Sequence, residues 1–553
     1  VARRRASGSS DKLLARQKAA SERLRREVLG IDGSLRHPYF RDLRRQLRSF
    51  EDATTVDDVL AAAVGADVIY VGDFHAVPEC QKFAADLLEH IAREAPPVGL
   101  GIEFVFTRQQ ALLDRRQAGQ IDDPTFLRRI HYREEWGYPW EGFGGLLDRA
   151  RDLGVAVHAL DAPPRGGFEG LAKRDDHAAR RIFSILSAEP RRRLVVLYGE
   201  SHVSTHHLPK KVRSLLDRAG LTRRPMTVLQ DPDAIYWQLL SRDDTVPEAV
   251  RISGETYAVF HGSPLAKYEA YRQVLERWRG DVPPDEEVDL TPAVHHLIVV
   301  LLGWLEIRLS RYRLRHKVGW TEDLGDAFPE VYSGPEATDL LEPILEEQRR
   351  TPEEIDEART VLAQRGSLYE SRSNTIFLLR YLPGRAAGEG ARFLRAALSG
   401  RLFSPPEETW SNPVARAYGH AYNEALAYLG SRLVDPASDF LSLEERQALT
   451  SAAGARPVAA PGESEERVRW MEMHREFEAS GKSRAPATLL EPLRGSRKLR
   501  RVLARDLGHR VGLRLFEQVR AGRLEARGLR HLFKRTLTET RAKRVVIQLL
   551  RNN

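Results

Sequence analysis

The sequence predicts an α/β fold, a mostly parallel sheet flanked by helices, plus a large all-α C-terminal region. Two observations predict the sheet. Between residues 51 and 262, short β-rich runs alternate with amphipathic helical stretches, the order expected of βαβ units. The runs are apolar without polar alternation, which suits strands buried on both faces. A third observation predicts the rest: residues 263–553 carry apolar residues almost wholly at helical spacing.

Taken in order, Leu13, Leu14, Leu24, Val28 and Leu29 share one face of a basic helical N-terminal segment, residues 1–50, which Gly30 to Gly33 interrupts. The α/β domain, residues 51–262, contains the runs DVIYV (67–71), VGLGIEF (98–104), VAVHAL (155–160), RLVVLY (193–198), MTVLQ (226–230) and TYAVF (256–260). A helical region follows over 263–455 and a basic helical C-terminal region over 465–553. Pro/Gly/Ser-rich punctuation falls near 281–285, 332–335, 404–413 and 452–464. The last stretch is the best linker candidate.

With 553 residues the chain has room for about three domains. A hydrophobic share of 42% beside 30% charged residues excludes collagen, a membrane bundle and wholesale disorder. The single cysteine, Cys80, forms no intrachain disulfide, zinc ribbon or iron–sulfur site by itself. No apolar run reaches the ~18 residues of a membrane-spanning helix. The basic start is followed by no apolar segment of the signal-peptide kind. A cytoplasmic location is the expectation. Net charge is +8 but uneven, with +9 over residues 1–50 and +13 over 491–553, leaving −14 between them. Such ends either bind nucleic acid or an anionic membrane surface, fold back on the acidic body, or are solvated helix faces. Arginine dominates, with lysine only 12 of 86 basic residues, a bias that genome base composition alone would produce and that weakens the nucleic-acid reading.

One pattern carries chemistry. DVIYV leads into Gly72-Asp73-Phe74-His75, and RLVVLY into Gly199-Glu200-Ser201-His202. Each glycine permits a sharp exit from the sheet, and acid and imidazole then stand at the carboxyl edge, where open α/β sheets bind ligands. The second run ends in Glu103, the third at Asp161, and the fifth runs into Gln230-Asp231. His75, His202 and Glu103 make a suitable ligand set for a divalent metal (Zn, Mn or Fe), which would activate water near neutral pH. Asp73 and Glu200 either orient the imidazoles, move protons or cap helices. Arg108, Gln110 and Asp161 are candidates for substrate binding. Trp136, Tyr138 and Trp140 read as core before pocket, His206 and His207 as solvent-facing, and His295 and His296 as ordinary helix residues. No GxSxG, P-loop, GxGxxG or HExxH occurs, against the standard serine hydrolase, NTPase, dinucleotide and zincin plans.

Around these residues the sequence resembles the ChaN-like haem-binding uptake family and its wider Tiki superfamily. The motifs are GDFH (Gly72 to His75), Glu103 of GIEF with Arg108-Gln109-Gln110, Arg174-Asp175-Asp176-His177, and GESH (Gly199 to His202). The resemblance covers about residues 55–225; the N-terminal segment and the helical C-terminal region fall outside it. It implies an α/β fold with a site at the strand ends, and either haem binding, as in ChaN-like members, or metal-dependent proteolysis, as in Tiki-like ones. A more distant resemblance is to erythromycin-esterase-like hydrolases. The chain departs from the ChaN type in having no lipoprotein cysteine and in carrying the helical C-terminal region.

Three functions follow as expectations. The first is metal-dependent hydrolysis of an amide or ester bond in a small-molecule or peptide substrate, with Glu103, Glu200 or Asp73 moving protons. The second is a haem carrier or sensor. The third is a scaffold whose basic ends bind nucleic acid or anionic lipid.

Overall fold

The structure is a computed structural model that describes residues 2–32, 39–165, 170–243, 246–280, 288–315, 321–403, 410–436, 461–482 and 484–551. Residues 452–460 of the expected linker lie outside the described residues, as do 281–285 and 404–409. The chain forms two compact units, residues 18–288 and residues 1–17 with 289–553.

The first unit is built on an eight-stranded sheet. Its strands are β1 (Asp52–Thr54), β2 (Val68–Asp73), β3 (Val98–Phe106), β4 (Ala156–Asp161), β5 (Arg193–Gly199), β6 (Pro225–Gln230), β7 (Ala249–Ser253) and β8 (Thr256–Val259). They lie in the order β1-β7-β8-β6-β2-β5-β3-β4. The six runs expected from sequence are β2 to β6 and β8, all parallel to their neighbours in that group. The sequence reading missed β1 and β7, which pair antiparallel at the edge.

Both faces are covered, and successive residues serve opposite cores. In β2, Ile69 and Val71 enter one apolar cluster while Val68 and Tyr70 enter the other; in β5, Val195 and Leu197 oppose Leu194, Val196 and Tyr198. This two-faced burial is why these strands read as unbroken apolar runs. The helix Pro78–Glu94, which leaves β2, starts on a proline and buries Phe83, Ala84, Leu87, Leu88 and Ile91 against the first cluster. Each large aliphatic buried there contributes roughly 1.5–3 kcal/mol. The helix Leu208–Arg218, which leaves β5, buries Leu208, Val212 and Leu216 in the second. Neighbouring strands β2 and β5 therefore send their chains to opposite faces. A crevice opens between them at the carboxyl edge, as at the switch point of doubly wound sheets. Asp73 pairs in register with Gly199, and Ile102 with Leu197. The two GxxH motifs and Glu103 therefore reach this edge together.

The second unit is mainly helical, as expected. Its longest described elements after residue 289 are the helices Pro413–Val434 and Arg497–Arg520. They pack closely because Gly508 and Gly512 leave no room for more: a Cβ there would stand 2.6 Å from the Ala421 carbonyl and 2.8 Å from that of Ala425. The sequence reading missed the short strands of this unit. β9 (Arg313–Arg315) and β10 (Thr321–Asp323) pair antiparallel, and β11 (Glu330–Ser333), β12 (Ser367–Glu370) and β13 (Thr375–Leu378) form a three-stranded sheet in the order β11-β13-β12. Several arginines of the basic C-terminal region pair within this unit: Arg497 and Arg501 with Glu357, and Arg510 with Glu478. No helix among the described residues is long and apolar enough to cross a membrane.

Candidate functional site at the carboxyl edge of the sheet

Glu103 stands at the centre of the edge. It is 4% exposed, and each of its oxygens is engaged. Oε2 accepts a 2.6 Å hydrogen bond from the Gly199 amide, and Oε1 accepts one from the Arg174 guanidinium. His75 Nε2 lies 3.8 Å from Oε2, and His202 Nε2 lies 3.8 Å from Oε1. The two imidazoles thus flank one carboxylate. Gly199 makes the close approach feasible, since a Cβ there would stand 3.3 Å from both Glu103 Oε2 and His75 Nε2.

Each imidazole is oriented by its own carboxylate. Asp73 accepts from His75 Nδ1 at 2.7 Å, and Asp175 accepts from His202 Nδ1 at 2.6 Å. The carboxylates are held in turn. Gln81 donates to Asp73, and the Tyr39 hydroxyl donates to Asp175 at 2.7 Å while lying 3.0 Å from His202 Nδ1. With the Nδ1 protons so directed, both Nε2 atoms face Glu103.

Buried charges are costly unless matched, and here they are matched. Arg174 spans Glu103 and Asp161, donating twice to Asp161 at 2.9 Å. Asp161, fully buried, also accepts from Arg165 at 2.8 Å and from Tyr198 at 3.0 Å. Burial alone would raise the Glu103 carboxyl, but Arg174, His202, His75 and the Gly199 amide outweigh it and hold the group down at about 2. Burial works against a charged His75, yet Asp73 and Glu103 overcome it and raise that imidazole above its ordinary 6.5.

The edge opens into a cavity of about 740 Å³, within the 300–1,000 Å³ range typical of ligand sites. Asp73, His75, Glu103, Glu200 and His202 line it, under aromatic walls from Phe74, Trp136, Tyr138, Tyr268, Tyr271 and Trp278. Arg25, Arg44, Arg133, Arg165 and Arg277 also line it, beside Glu134 and Glu135. His75 packs against Trp136 and Tyr138 at ring separations of 4.4 and 4.9 Å.

Not every expected residue reaches the cavity. Arg108 is exposed and lies over the Phe106 ring. Gln110 ties the chain after β3 to edge strand β4, donating to the Val157 carbonyl and accepting from the Ala159 amide. Asp161 holds Arg174 and Arg165 beneath the site. Glu200 lines the cavity and accepts from Lys267 at 3.1 Å. Trp140 packs in the core as expected, donating to Asp123, whereas Trp136 and Tyr138 form cavity wall. His206 is exposed, but His207 is buried and stacks on Tyr39 at 3.8 Å. His295 contacts the Pro329 carbonyl.

The expected metal set is more open than a bound ion would make it, though each Nε2 is 3.8 Å from Glu103. The ligand atoms of His75, His202 and Glu103 do not all fall within 4.8 Å of one another, whereas two nitrogens sharing one zinc lie at most about 4.2 Å apart. Any ion would also compete with Arg174 for Glu103. The sequence reading missed Arg174, Asp175 and Tyr39 as site residues. The first two stood in the quoted Arg174-Asp175-Asp176-His177 motif, whose placement at the site is non-local. Tyr39 carried no signal at all.

A family model described as haem-binding uptake, Tiki superfamily, ChaN matches residues 59–167. The match takes in β2 to β4 with GDFH and Glu103, and supports the resemblance read from those motifs; the helical C-terminal region does not match. A solved structure described as cofacial heme binding to ChaN of Campylobacter jejuni is similar over 38% of this chain and 93% of that chain, with 11% identity and a TM-score of 0.27. No curated protein matches the chain.

Proposed function

We propose that the carboxyl-edge cavity binds haem. One observation carries the reading: about 740 Å³ of space with seven aromatic side chains in its walls, two carboxylate-oriented imidazoles and an arginine-bearing lining. These residues fit the group. Trp136, Tyr138, Tyr271 and Trp278 offer faces for a flat apolar ring system. Arg133 and Arg277 offer charge for carboxylate side arms. His75 and His202 offer imidazole nitrogen, the axial donor of many haem proteins. Bound haem supplies a redox-active, ligand-accepting iron, and the chain's part is to orient and enclose it. The family to which residues 59–167 are matched is described as haem-binding, in agreement. Titration of haem into the purified chain should produce a Soret band distinct from that of free haem. His75→Ala, His202→Ala and the double variant should weaken or abolish it. Spectra identical to free haem would remove the reading. A cytoplasmic location goes with it only in that the single buried Cys80 requires no oxidising compartment.

A second reading is hydrolysis of an ester or amide, supported by the paired Asp73–His75 and Asp175–His202 contacts. A raised His75 beside Glu103 is equipped to exchange protons with a substrate. No step through a divalent ion is assigned, because Arg174 already engages the Glu103 carboxylate that would serve it. Turnover of ester and amide probes that is lost in His75→Ala and indifferent to chelators would support it; no turnover above buffer would end it.

A further inference from the structure

We propose that Cys80, Asp231 and His261 form a second site, separate from the haem cavity, that takes a zinc-class divalent ion. The three come from the helix after β2, the end of β6 and the end of β8. One ligand atom of each lies within 4.8 Å of the others, and none lines the 740 Å³ cavity.

The hydrogen bonding fixes which atoms are left with a lone pair for an ion. Gln230 uses its amide nitrogen as donor to the Gly72 carbonyl at 2.8 Å and the Cys80 carbonyl at 3.3 Å. Its oxygen must therefore be the acceptor in the 2.7 Å contact with His261 Nε2. That places the proton of the neutral ring on Nε2 and leaves the Nδ1 lone pair. A ring nitrogen pinned by an oxygen acceptor while the other keeps its lone pair is the arrangement of metal-bound histidines. The Asp231 carboxylate is held likewise: Oδ1 accepts from the His261 amide at 2.7 Å and the Gly262 amide at 3.1 Å. Asp231 itself adopts a left-handed backbone, φ 49°, uncommon for a residue other than glycine. Lys267, the nearby cation, approaches the Asp231 carbonyl but pairs its charge with Glu200 at 3.1 Å and Asp233 at 3.9 Å.

Thiolate, imidazole and carboxylate together favour zinc over magnesium or calcium, which prefer oxygen alone. Tetrahedral bonds of about 2.0–2.3 Å separate ligand atoms by about 3.3–3.8 Å, so side-chain movements of the order of 1 Å close the trio. Three protein ligands leave a fourth position for water. Loss of the thiol proton accompanies binding. The ion would clamp the helix start after GDFH to the ends of β6 and β8.

Cobalt substitution tests this cleanly, because the chain has one cysteine. Under reducing conditions the full-length protein should take up cobalt at this site with a thiolate-to-cobalt charge-transfer band, bleached by one equivalent of zinc. Cys80→Ser should abolish the band, and Asp231→Asn or His261→Gln should weaken cobalt affinity about tenfold or more. A His75→Ala, His202→Ala double variant should keep the band, which separates this site from the sheet-edge cavity. Should Cys80→Ser fail to fold, the Asp231 and His261 variants retain the thiol and carry the test. No band, or a band unchanged by both Asp231→Asn and His261→Gln, overturns the proposal.

Discussion

Two buried glutamates, one in each unit, are clasped by arginine and histidine, and their differences separate a site from a staple. Glu424, in the helical unit, pairs with Arg365 at 2.7 Å, Arg392 at 2.8 Å and His420 Nε2 at 3.2 Å. Its imidazole thus turns an Nε2 onto the glutamate at close range, one turn away on the same helix. Around Glu103 each imidazole spends Nδ1 on a separate aspartate, keeps Nε2 at 3.8 Å from the glutamate, and lines a large cavity. Buried charge alone marks neither function nor its absence. Independent orientation of each imidazole, beside a cavity of about 740 Å³ rather than the 170 Å³ pocket that His420 lines, is what distinguishes the sheet edge.

The largest expected effect breaks the comparison on stability. Glu424→Gln takes the shared carboxylate from two arginines and should cost about 3–5 kcal/mol. Glu103→Gln leaves Arg174 its Asp161 partner and should cost less, about 1–3 kcal/mol. Urea unfolding of both variants measures the order; a reversed order would deny Asp161 its supporting role. Haem binding per folded molecule should survive Glu424→Gln and His420→Ala.

pH separates the two sheet-edge groups. Glu103 is held near 2 against an ordinary 4.5, so its contribution is full above about 4.5 and disappears as pH falls toward 2. His75 is raised above 6.5, so its contribution is full below 6.5 and is lost as pH rises through the raised value. Both are fully present only between about 4.5 and 6.5. Unfolding midpoints should show a shallower acid-side slope in Glu103→Gln and a shallower alkaline-side slope in His75→Ala. Unchanged slopes in both variants would contradict the charge arrangement.

A smaller effect sharpens the point about orientation. Asp73→Asn and Asp175→Asn keep both imidazoles but release their Nδ1 anchors, and should weaken haem binding about 10- to 100-fold. Equal affinity in wild type and variants would show that orientation is immaterial. The smallest effect belongs to Gly199→Ala. Its added methyl meets Glu103 and His75 at 3.3 Å and should shift the Soret maximum while leaving the unfolding midpoint within about 1 kcal/mol of wild type.

The sequence made the sheet legible because strands buried on both faces leave unbroken apolar runs. It hid β1, three residues long, and β7, whose Arg251 and Ser253 are exposed. The four-residue strands β11 to β13 were lost among helical spacings. At the site, GDFH, GESH and Glu103 could be found because adjacent parallel strands bring like positions to one edge. Arg108 and Gln110 misled because nearness in sequence to Glu103 does not survive the turn after β3, which carries Gln110 onto β4. Tyr39 had no local pattern to betray it: its contacts are to Asp175 and His202, more than a hundred positions away.

That tyrosine bears on how the protein can be cut. A fragment spanning residues 59–167, the extent of the family match, would retain His75 and Glu103 and forfeit Tyr39, Arg174, Asp175 and His202. Its glutamate would keep one imidazole neighbour and no guanidinium, and its β5 backbone donor would be gone. Minimal expression boundaries drawn from similarity alone would deliver half of the proposed binding centre, with a stranded negative charge where the intact chain holds a neutralised one.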